Sequence, residues 1–115
     1  MDRLAVVLLS DMRNPIKVEM AMRFAMVANS DGGLASVRFF FFGPGVQVPA
    51  QVRENEQLHG LLTQLLESGI SAVACAFNAR QLAQERQLNE AGIQSYSIGS
   101  ELVRLVKEGF QIMTF

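Results

Sequence analysis

LAVVLLSDMRNPIKVEM, residues 4–20, changes rhythm halfway. Leu4 to Leu9 is a continuous apolar run, the pattern of a strand buried on both faces of a parallel sheet. Asn14-Pro15 follows, a residue type that caps helices and then proline in the first helical position. A buried strand that turns into a helix within five residues is half of a β-α-β unit, and the rest of the chain repeats the theme. The helix is predicted to run to about Asn29, with Asp31-Gly32-Gly33 as its stop. Val37 to Phe42 reads as a second buried strand, broken by Gly43-Pro44-Gly45. Asn55 to Ser68 carries Leu58, Leu61, Leu62, Leu65 and Leu66 at helical spacing and ends at Gly69.

Ile70 to Ala76 is the third strand expected, and Asn78 to Ala91 the third helix, with Gly92 as its stop. Ile93 to Ile98 is a short, more polar strand. Ser100 is expected to cap a short helix with Leu102, Val103, Leu105 and Val106, closed by Gly109. Phe110 to Phe115 is the last strand. Alternation of strands and helices demands crossover connections. The expected fold is therefore α/β, a five-stranded parallel sheet between two helix layers, in one domain over residues 1–115. Ligands in such sheets collect at the carboxyl ends of the strands. Ser10-Asp11-Met12, Gly43-Pro44-Gly45 and Cys75-Ala76-Phe77-Asn78 are thus expected to share one edge.

The first helix contains Met20, Met22, Phe24, Met26 and Val27 and only Lys17, Glu19 and Arg23 as charges between residues 17 and 28. A helix apolar nearly all round is covered on more than one side. The sheet supplies one cover, and a second copy of the chain is expected to supply another, with flexible Met suited to the contact.

Bulk properties narrow the function. The chain has 115 residues, half of them hydrophobic, with a net charge of −1 and one His. It has no basic stripe, so neither nucleic acid nor an anionic membrane surface is an expected partner. The apolar start is too short to span a bilayer and lacks the basic flank and cleavage site of a leader. One Cys excludes an internal disulfide, a CxxC redox pair and a cysteine-rich zinc site. A free thiol and six Met suit the cytoplasm. His59 has no partner at ligand spacing, so no metal site is expected. Gly43-Pro44-Gly45 is not followed by the Lys-Ser/Thr of a P-loop. Asp11, alone after a strand, reads as a cap or turn residue. Phe39 to Phe42 reads as core. Glu54, Glu56, Glu85, Arg86 and Glu90 read as solvated helix faces.

Cys75 remains. With Asn78 as cap of the following helix, the thiol would meet unpaired N–H groups and the positive end of the helix dipole, which favour thiolate. Arg80 in the first turn would add positive charge if its side chain turned inward. The opposing reading is a buried small hydrophobe, because Val73-Ala74-Cys75-Ala76-Phe77 is an apolar neighbourhood.

Four segments in order resemble the DsrE/DsrF-like family of small sulfur-relay proteins: KVEMAMRFAMVAN, VRFFFFGPGVQV, VACAFNARQL and the tail GI…S-IGS-ELVRLVKEGFQIMTF. The resemblance spans nearly the whole chain. It implies a five-stranded parallel sheet in three layers and assembly as a homo- or hetero-oligomer, trimers and hexamers among them. It also implies a persulfide carried on Cys75, taken from a sulfur-donor protein and passed to an acceptor thiol, with no metal or organic cofactor. Ser10, Asp11, Gly43, Gly45, Asn78 and Arg80 would then form the edge that meets substrate or partner. Two other uses of the same fold stay open: an oligomeric binding module whose cysteine is structural, and a thiol redox sensor ending in sulfenic acid or a mixed disulfide.

Overall fold

The computed structural model describes residues 2–115. Its elements are β1 (Arg3–Leu8), α1 (Pro15–Ser30), β2 (Ser36–Phe41), α2 (Val48–Gln51), α3 (Glu56–Glu67), β3 (Ser71–Cys75), α4 (Ala76–Gln81), α5 (Glu85–Glu90), β4 (Gln94–Tyr96), α6 (Ile98–Lys107) and β5 (Phe110–Thr114). These five strands form one sheet in the order β4-β3-β2-β1-β5, with every pairing parallel. Among the described residues no helix is long and apolar enough to cross a membrane.

The order of strands assigns the helices to faces. From β1 to β4 the chain steps one strand at a time in one direction, then returns across the whole sheet to β5. Right-handed crossovers put α1, α3 and the α4–α5 pair on one face and α6 alone on the other. Side chains alternate accordingly. Val6, Phe39, Phe41 and Ala74 face α1 and α3. Val7, Phe40, Val73 and Cys75 share the α6 face with Arg38, whose guanidinium pairs with Glu101 of α6 at 3.1 Å. Phe39, Phe40 and Phe41 are fully buried, on both faces of the central strand. Each contributes on the order of 2–3 kcal/mol by leaving water.

Several local signals act as the sequence suggests. Asn55 caps α3, its side chain accepting from the Leu58 N–H at 3.0 Å. Leu58, Leu61, Leu62 and Leu65 are its buried stripe. Asn14 stands at the N-cap position of α1 but makes no side-chain cap bond there.

Other expectations need correction. The single helix over residues 78–91 is two short helices. Ala83 at φ +56° breaks them, in the left-handed region where glycine usually stands, and the Gln84 N–H reaches back to the Ala79 carbonyl at 2.8 Å. Asn78 does not cap: α4 starts at Ala76, Cys75 takes the N-cap position, and Asn78 is the third helical residue. Ser100 does not cap α6 either; Ser97 stands at that position and α6 begins at Ile98. Gly43-Pro44-Gly45 is not an isolated turn but the start of a 3-10 stretch, Gly43–Gln47, which continues through α2 to a second one, Val52–Glu54. One expectation needs no correction: in the single chain α1 buries one stripe, Val18, Ala21, Met22 and Ala25, and Ile16, Met20 and Val27 lie exposed on the sides for which a second copy is the expected cover.

Candidate functional site

The carboxyl edge is built by close backbone approach. Gly45 passes the end of β1 so tightly that a Cβ there would sit 2.1 Å from the Leu8 carbonyl oxygen. Only glycine fits. Its N–H donates to the Phe42 carbonyl at 3.0 Å, and the Phe42 N–H donates to Leu8 O at 3.0 Å. The β2 loop is thereby laid against the end of β1. Gly43, at φ +56°, donates its N–H to Asn78 Oδ1 at 2.8 Å, which ties the same loop to α4. On the other side Gln47 Nε2 donates to Asp11 Oδ2 at 3.2 Å. The loops after β1, β2 and β3 therefore form one continuous rim, held by Asp11–Gln47 and Gly43–Asn78.

Asp11 is buried, the one polar or charged side chain among the described residues to be so. It accepts from the Arg13 N–H at 3.0 Å and from Arg13 Nε at 3.1 and 3.2 Å. Burial pushes its carboxyl up, but the Arg13 main-chain and side-chain hydrogen bonds, the Arg13 charge and a Gln51 contact outweigh that and hold it below the usual carboxylate range. Gln51 Oε1 also accepts from the Met12 N–H at 2.9 Å. Asp11 is thus the knot of the β1 loop, and its lone pairs are spent on holding it.

Cys75 ends β3 and opens α4. Its side chain points to the α6 face, in register with Tyr96 of β4. It is 5% exposed and makes no cap bond. Phe77, two residues on, is 62% exposed, and Leu9, whose side chain lies against Gly43, is 40% exposed. The rim therefore carries exposed apolar side chains, while the sulfur itself is nearly buried. Ser10 is half-buried on the same rim. Arg80 is not part of this grouping: it is exposed and falls in the last turn of α4, so it brings no charge to Cys75. Among the described residues no three His, Cys, Asp or Glu side chains cluster in a way that would hold a metal ion.

Two sets of residues were not singled out from the sequence. Gln47 and Gln51 lie in VQVPAQV, a mostly apolar stretch too short to carry a clear periodic signal. Arg38 did leave one: a charge inside VRFFFF must find a partner when the strand is buried. Its partners are Glu101 at 3.1 Å and the Tyr96 hydroxyl at 3.0 Å, with the guanidinium stacked over the Phe40 ring at 5.2 Å.

The family model described as DsrE/DsrF-like matches residues 2–115. No curated protein sequence matches the chain. Among solved structures, the chain is similar to BT1422, a conserved protein of unknown function from Bacteroides thetaiotaomicron. The TM-score is 0.77 and the identity 20%, over 96% of this chain and 94% of that one. At that identity the likeness speaks to the fold.

Proposed function

We propose, for a chain that belongs to the DsrE/DsrF-like family, that Cys75 carries sulfane sulfur as a persulfide and hands it to a partner's thiol. The observation that carries this reading is the position of the sulfur: the sole cysteine, at the carboxyl end of β3 and the N-cap position of α4, under an apolar rim. The Cys75 thiolate attacks the outer sulfur of a donor persulfide. The new S–S bond forms as the old one breaks, and the donor leaves as thiolate and takes up the proton that Cys75 gave to solvent. An acceptor thiolate then repeats the attack on the outer sulfur and releases Cys75. Oxidation levels balance within each exchange, so one cysteine suffices and no metal or organic cofactor is required. Donor and acceptor are proteins that reach the rim, where Gly43 leaves the backbone without a side chain; Gly45 is buried against Leu8 and shapes the rim from inside. The reading suits the cytoplasm, where a lone thiol stays reduced.

The same reading includes a homo-oligomer, a trimer or hexamer. It is supported by an apolar groove of about 480 Å³ lined by Met20, Arg23, Phe24, Val27, Met113 and Phe115, where α1 leaves the outer face of β5 uncovered.

One observation favours a second reading. At 5% exposure Cys75 is compatible with a structural thiol in a non-catalytic binding module. Intact mass after incubation with a sulfane donor separates the two. Relay requires a gain of one sulfur atom that is absent in Cys75→Ser. A wild type left unmodified by both the donor and a small alkylating reagent at neutral pH establishes the structural thiol instead.

A further inference from the structure

α6 starts at the carboxyl end of β4 and must reach β5 on the opposite side of the sheet, so its path crosses β3 first. Its opening turn, Ile98 to Glu101, therefore passes over the carboxyl end of β3, on the face to which Cys75 points. Little else covers that face, because α6 is the sole helix on it among the described residues. Ile98 anchors the segment by full burial and Tyr96 by its place in β4 beside Cys75, while Gly99 and Ser100 are exposed and Ser97 makes no cap bond with its side chain. Arg38 adds a polar hold. From beneath, on β2, its NH2 group donates to the Tyr96 hydroxyl at 3.0 Å and NH1 donates to Glu101 Oε1 at 3.1 Å, so one guanidinium grips the segment at both ends.

Resting on the relay reading of Cys75, we propose that Tyr96–Glu101 is a strap over the thiol and that Arg38 is its latch, closed at rest and opened when a partner docks. Arg38 is a positioning residue here and touches neither donor nor sulfur. The chemistry suits a catch that must release. A half-buried guanidinium contributes little net stability compared with a well-packed apolar side chain, and it fixes one arrangement by direction of its hydrogen bonds. The latch is also small: two hydrogen bonds, with Arg38 at 17% side-chain exposure and Glu101 at 15%, where water can compete once the strap lifts. Glu101 is shared with Arg104 on the outer surface of α6, which offers its carboxylate a second cation when Arg38 lets go.

The test is the alkylation rate of Cys75 by iodoacetamide at neutral pH, in the full chain without sulfur donor. It compares wild type with Tyr96→Phe, Glu101→Gln, their double variant, and Arg53→Gln as a surface-pair control remote from the strap. Loss of one hydrogen bond to the guanidinium raises the open population, and with it the rate, about tenfold in each single variant and further in the double. Arg53→Gln leaves the rate unchanged. Urea dependence supplies the second measurement: a strap opens locally, so the rates of the strap variants stay flat at low urea. Rates within twofold of wild type in both single variants overturn the proposal. So do rates that rise with urea in step with global unfolding, because the thiol is then reached only by melting the fold. Failure of the relay reading looks different: the strap variants alkylate fast, yet none of them gains sulfur from a sulfane donor.

Discussion

Replacing Gly45 by alanine tests the account of the carboxyl edge at its tightest point. The added methyl would stand 2.1 Å from Leu8 O and 3.0 Å from Leu8 C. A carbon and a carbonyl oxygen approach no closer than about 3.3 Å even in favourable contacts, so roughly 1.2 Å of movement is needed. Neither side can give that cheaply. Leu8 is the last residue of a strand paired on both sides, and its carbonyl accepts the Phe42 N–H. On the other side, Gly45 is followed by the fully buried Val46 and Val48. Overpacking of this kind costs about 1–3 kcal/mol, and loss of the Leu8–Phe42 bond adds about 1 kcal/mol. The expected total is about 2–4 kcal/mol, a large part of the stability of a domain this size.

Urea unfolding followed by circular dichroism reads that loss directly, and the melting midpoint should fall by roughly 10 °C. Gly60→Ala is the matched control. Gly60 lies inside α3, and a methyl added there would meet nothing within 4 Å, so alanine should stabilise by up to about 1 kcal/mol. The two glycines predict opposite signs from the same substitution. A Gly45→Ala protein within about 0.5 kcal/mol of wild type would refute the argument that this backbone contact shapes the rim.

Two other outcomes follow from the structure. Because the folded-state value of Asp11 is lowered, its contribution is fully present above the unfolded carboxyl value near pH 4 and is lost as pH falls through the folded value. Wild type should therefore lose more stability than Asp11→Asn between about pH 5 and pH 3, measured as the urea midpoint at each pH. Val27→Glu puts a charge into the groove between α1 and β5, and light scattering at micromolar concentration should show a smaller particle than wild type. A wild type that is already monomeric would remove the oligomer from the proposed function.

The parts of the fold legible in the sequence are those set by repeating chemistry. Leu4 to Leu9, Val37 to Phe42 and the leucines of α3 each follow one rhythm for several residues, and the structure places β1, β2 and α3 within a residue or two of those bounds. What escaped was set by single residues whose reasons are tertiary. Ala83 ends α4 in a conformation that sequence reading assigns to glycine, so the helical pattern runs on past it to Ala91. Asn78 resembles a cap because caps are its commonest use, yet its amide serves the backbone of Gly43 from a different loop, 35 residues away. No local pattern encodes such a partner.

The candidate site divides along the same line. That three loops share an edge follows from strand order alone, and the order follows from crossover handedness. That Cys75 lies beneath the edge rather than on it is not written in its own segment, whereas the path of α6 is fixed by the return from β4 to β5 across three intervening strands. Arg38 is the residue that joins the two levels. A lone arginine in an otherwise apolar strand is legible as an anomaly, since a cation largely removed from water needs an anion beside it. Its sequence neighbours Phe39 and Phe40 supply no anion. The carboxylate had to come from another element on the same face, and α6 is the one described helix there. The anomaly in VRFFFF is thus answered from α6, and Glu101 is the acid that its first turns present.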